Sequence, residues 1–83
     1  MAKSVPSSFQ DLKARVQARL RQGDDNVEDD IIAMGDAMLQ AGVEPKSAQD
    51  RVAKRIWQAS GPEEKKMLAR MVTQMAQEEE NLT

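Results

Sequence analysis

An all-α fold, a compact bundle of four short helices, is predicted by three features of these 83 residues. Apolar side chains recur every three or four positions in four separate stretches, the period of a helix with one buried face. Rings are almost absent, Phe9 and Trp57 being the only two, and β-branching is sparse, which disfavours sheet. Three glycine-bearing breaks, "GDDN", "GVEPKS" and "SGPEE", separate the stretches. The expected helices span about 9–22, 26–41, 48–59 and 62–77. They form a single domain over 9–77, between a flexible N-terminal segment 1–8 and an acidic flexible tail 78–83.

The first helix carries Phe9, Leu12, Val16 and Leu20 on one narrow stripe. Ser7 or Ser8 can cap it, since Gln10 or Asp11 three residues on completes a capping box. Gly23 stands where a left-handed C-terminal cap belongs. In the second helix Val27, Ile31, Met34 and Met38 share one line and Ile32 and Leu39 a second, with Gly35 between them. A helix-interior glycine costs roughly 1 kcal/mol against alanine, so Gly35 points to close approach of another backbone and to this helix as the centre of the fold.

Gly42 and Pro45 end that helix, and Ser47 with Asp50 opens the third. Its expected inner face is Ala48, Val52, Ile56 and Ala59, with Trp57 on the flank. Pro62, Glu63 and Glu64 open the fourth helix at the positive end of its dipole. Around that helix Met67, Met71 and Met75 cover one edge of a broad apolar arc, Leu68 and Val72 the other, and Ala69 and Ala76 extend it. The methionines either fill gaps in the monomer core, as their flexible thioethers do well, or are covered in part by a second copy or a partner helix. Trp57, Met67, Met71 and Met75 are the candidate interface residues.

Composition removes most chemistry. Without cysteine or histidine there is no disulfide, no thiolate nucleophile and none of the commonest general bases or transition-metal ligands. Four glycines hold no phosphate-binding loop. "DDNVEDD" places Asp24, Asn26 and Glu28 at the first, third and fifth positions of a calcium loop. Its sixth position is then Asp29 where glycine is needed, and its twelfth Gly35 where a bidentate glutamate is needed. The acids read instead as a helix N-terminal cluster. Asp36 has no evident partner at i+3 or i+4, and a thin four-helix fold offers little cleft for paired carboxylates. Trp57 reads as the largest core residue or an interface anchor. The chain is thus expected to be no enzyme and to need no cofactor, metal or small-molecule substrate. No apolar run approaches a membrane span, and "MAKSVPSS" lacks the apolar stretch of a secretory signal, so the expected location is cytoplasmic.

The net charge of −2 hides segmentation. Residues 1–22 set Lys3, Lys13, Arg15, Arg19 and Arg21 against Asp11 alone, whereas residues 23–44 hold seven acids and no base. Residues 45–77 are basic again, and Glu78 to Glu80 close the pattern. Helices of opposite sign that relieve one another account for this. The alternative is a phosphate-binding patch of Lys13, Arg15, Arg19 and Arg21, or of Arg51, Lys54 and Arg55. The pI near 5.1 and the scarcity of rings for base stacking count against nucleic acid, which ranks second.

Across residues 34–77 the chain carries Gly35-Asp36, Pro45-Lys46, Arg51-Val52, Ile56-Trp57, Glu63-Glu64 and Met71-Val72 in order. In this it resembles the small uncharacterised YmfJ/YflH-like helical proteins of spore-forming Gram-positive bacteria. Ala53 and Ile56 stand where that pattern has leucines. The resemblance implies a cytoplasmic all-α bacterial protein, with a dimer as an expected assembly, and carries no activity. The functional expectation is a non-catalytic interaction module that self-associates through apolar helix faces.

Overall fold

The computed structural model describes residues 5–24 and 26–82. Its helices are α1 (Phe9–Arg21), α2 (Val27–Ala41), α3 (Ala48–Ala59) and α4 (Pro62–Leu82), with no strand among the described residues. Of the two serines before α1, Ser8 is the cap. Its Oγ accepts the Asp11 N–H at 3.0 Å, and the Asp11 carboxylate accepts the Ser7 N–H at 3.0 Å. The same device opens α3: Ser47 Oγ accepts from Asp50 N–H, and Asp50 accepts from Lys46 N–H. Asn26 makes no side-chain cap bond to α2, but Glu28, Asp29 and Asp30 fill the first turn, where the helix dipole favours them. Gly23 (φ +81°) and Gly42 (φ +67°) adopt the left-handed conformation that turns the chain out of α1 and α2.

The buried core is Leu12 and Val16 of α1, Val27 and Ile31 of α2, and Ala69 and Ala76 of α4. Leu20, Ile32, Met34, Met38 and Val72 pack around it. α4 lies along both α1 and α2, so the core belongs to three helices and α2 shares the central place expected for it alone. The seam of α4 is its alanine line rather than its bulky residues. Ala69 and Ala76 are fully buried, and the absence of side-chain bulk lets the helices close up. The Gln17 amide accordingly reaches the Ala76 carbonyl at 3.4 Å.

α3 contributes no buried residue. Its inner side is Asp50, Ala53, Lys54 and Trp57, and the expected inner line Ala48, Val52, Ile56 and Ala59 is exposed. Trp57 sets this rotation by seating its indole over Gly35: a Cβ on Gly35 would lie 2.7 to 2.9 Å from Cε2, Cζ2 and Nε1. The close approach expected at Gly35 is therefore that of a ring, not of a backbone. At the other end of α3, Asp50 also accepts the Phe9 N–H at 3.2 Å, tying the α3 start to the α1 start.

The last helix runs five residues past the expected end at 77. The acids assigned to a flexible tail form its final turns, with Glu79 bonded to Lys13 Nζ at 2.8 Å and Glu80 to Arg21 at 2.7 Å. Lys13 is only 3% exposed, so Glu79 supplies the counter-charge that its burial demands. Of the segment 1–8 expected to be flexible, residues 1–4 lie outside the described residues. Pro6 is fully buried, and the Ser7 carbonyl accepts from Lys46 Nζ at 2.8 Å.

Candidate interaction surface

With α3 rotated by Trp57, its Val52 and Ile56 turn away from the core and are 57% and 47% exposed. On α4 the buried alanine seam has the same effect. Met67 and Met71 lie about 160–200° round the axis from Ala69, taking about 100° per residue, and are 65% and 55% exposed. Met75, the third of the line, is partly buried. Two consecutive helices thus each present a large apolar pair at i, i+4 spacing to the outside. Exposed charges border them: Arg51 and Arg55 on α3, and Glu63, Glu64 and Glu78 along the methionine side of α4.

Trp57, the fourth candidate, is not part of this outward face. Its Nε1–H donates to Asp36 Oδ1 at 3.0 Å, and Lys65 Nζ donates to the same oxygen at 2.7 Å while lying 5.2 Å from the indole centroid. The bond from Lys65 holds the Asp36 carboxyl below the usual carboxylate range, with the indole N–H adding to the effect and partial burial opposing it. Asp36, without a partner at i+3 or i+4, bridges α2 to α3 and α4. Both partners come from distant helices, and no i+3 or i+4 rule could reveal them.

The basic residues of α1 are engaged with acids. Lys13 meets Glu79, Arg15 meets Asp11, Arg19 meets Asp24 and Asp30, and Arg21 meets Glu80. Glu80 is depressed, and Arg21 raised, by their mutual hydrogen bonding. The geometry brings Lys13 and Arg21 to acids of α4, Arg19 to acids of α2 and the link before it, and Arg15 to Asp11 of its own helix, rather than to one open patch. Inward of Trp57, where little cleft was expected, the fold holds a concavity: an apolar pocket of about 90 Å³, open to solvent on one side, between α1, α2 and α3 with Val72 of α4 in its wall.

A family model described as "Protein of unknown function (DUF3243)" matches residues 4–77. The chain belongs to the DUF3243 family. The match takes in α1, α2 and α3 and most of α4. No curated protein and no solved structure matches the chain. Among the described residues of this DUF3243 chain, no helix is long and apolar enough to cross a membrane.

Proposed function

We propose that this DUF3243 protein is a non-catalytic interaction module of the bacterial cytoplasm, and that its partner is a second copy of itself. The observation that carries this is the outward pairing of Val52 with Ile56 and of Met67 with Met71, each about half exposed or more. Single exposed apolar side chains are ordinary on any protein. Two on one helix, one turn apart, make the kind of strip that a partner helix covers, and α3 and α4 each carry one. Charge favours a copy of the same chain. Laying α3 of one protomer along α4 of the other sets Arg51 and Arg55 against Glu63, Glu64 and Glu78, and a two-fold axis makes both halves of that contact alike. The methionines adapt their shape to the incoming aliphatic side chains. A standard interface takes about 800 Å² per partner, a modest share of the 5746 Å² accessible surface.

Light scattering at micromolar concentration tests the proposal. The expected species is a dimer, which Met71→Asp converts to monomer with helical content retained. Val52→Asp, on the other helix of the contact, is expected to do the same. A wild-type chain that is monomeric throughout, or a Met71→Asp chain that unfolds outright, overturns the assignment. Nucleic-acid binding through α1 draws less support, because its bases already face acids. Retention on heparin that falls steeply with salt would favour it instead.

A further inference from the structure

The apolar pocket behind Trp57 lies apart from the outward face and stands on different observations. Phe9, Ile31, Met38, Ala53, Trp57 and Val72 are among its walls, so both rings of the whole chain line this one space. Its volume of about 90 Å³ is several times the roughly 10–15 Å³ one water demands, and its open mouth lets a ring seat there without being wholly enclosed. Among the described residues no buried side-chain nitrogen or oxygen lacks a partner, so no such group inside calls for water. A largely apolar, ring-lined hollow of this size suits an apolar guest, with ring edges and a thioether to pack against it.

The rim narrows the guest further. Glu44 and Asp50 stand there against Lys54, whose ammonium lies 3.5 Å from the Val43 carbonyl. Two acids against one base repel a carboxylate, which counts against the head group of a fatty acid. We propose that this pocket is a binding site for a small neutral apolar group, a single ring or a branched alkyl of about four to six carbons. α3 forms one wall through Ala53 and Trp57, so a guest touches the element that carries Val52 and Ile56 without touching those residues.

Toluene is the probe, with benzoate as its charged counterpart, titrated into the full chain. Methionine methyl signals and the emission of the sole tryptophan report where each goes. The expected result is saturable toluene binding that shifts Met38 and perturbs Trp57, with benzoate at least tenfold weaker. Ala53→Leu fills the space and is expected to lower toluene affinity at least tenfold while preserving the helical spectrum. If that variant does not fold, Val72→Ile, one methylene larger, should still weaken binding about threefold. Non-saturating shifts, equal binding of benzoate, or full affinity in a folded filled variant overturns the site. Shifts at Met67 and Met71 with Met38 unmoved overturn it too. They would mark the outward face as the apolar binding surface, leaving the self-association reading intact.

Discussion

Replacing Gly35 by alanine tests whether the indole of Trp57 is the reason for a glycine in mid-helix. Helical propensity alone makes the change stabilising by about 1 kcal/mol. The added Cβ would lie 2.7, 2.8 and 2.9 Å from three indole atoms, against about 3.5–4.0 Å for an unstrained carbon contact. The ring must therefore retreat by ~1 Å. Its Nε1–H is bonded to Asp36 at 3.0 Å and Lys65 lies over its face, so retreat weakens both contacts. Overpacking of this kind costs about 1–3 kcal/mol. The net expectation for Gly35→Ala is a loss of about 1 kcal/mol. With the ring removed in Trp57→Ala, the same substitution should recover its propensity gain of about 1 kcal/mol. The coupling between the two sites is then about 2 kcal/mol. Urea unfolding followed by far-ultraviolet circular dichroism measures all four chains of this cycle, independently of tryptophan emission. An identical effect of Gly35→Ala in both backgrounds would refute the reasoning, because the glycine would then owe nothing to the ring.

Truncation after Gln77 should destabilise the fold by about 1–2 kcal/mol, because it leaves Lys13 buried without Glu79. A chain whose thermal midpoint is unchanged by the cut would return residues 78–82 to the status of a frayed end. Removing the charge alone, as Glu79→Gln, should reproduce most of the truncation effect in the same melt, and no change would show that Lys13 does not depend on it. Acid should weaken the docking of α3. The Asp36 carboxyl is depressed in the folded chain by Lys65, so its contribution is complete above the ordinary carboxylate range and fades as pH falls through its lowered folded value. Asp11, depressed by the Ser7 N–H, and Glu80, depressed by Arg21, act in the same direction. Urea titrations across the acid range should show this slope flatten in Asp36→Asn, and an unaltered slope would count against the bridge.

The helices and their breaks are legible in the sequence because local chemistry sets them. Ser8, Ser47, Gly23 and Gly42 each act on backbone groups within a few residues, and each does in the fold what its type and position predict. Which arc of a broad helix turns inward is a different question, decided by neighbours that periodicity does not see. On α3 a single indole outweighs the aliphatic line of Val52 and Ile56, because it finds both the gap at Gly35 and an acceptor in Asp36. On α4 the smallest apolar residues win, since a helix lodged against two others needs closeness more than bulk. Asp36 meets Trp57 and Lys65 across 21 and 29 positions of chain, a separation at which spacing rules are silent. Glu79 and Glu80 look like solvated tail for the same reason: their basic partners lie in α1, more than fifty residues back.

That α3 places nothing in the hydrophobic interior gives the molecule two tiers of stability. Its amides should exchange with solvent deuterium through a partial opening that needs less free energy than melting of the remaining triad. The inner three helices can stay assembled while this fourth one detaches and returns, and substitutions along its outer side leave their interior untouched.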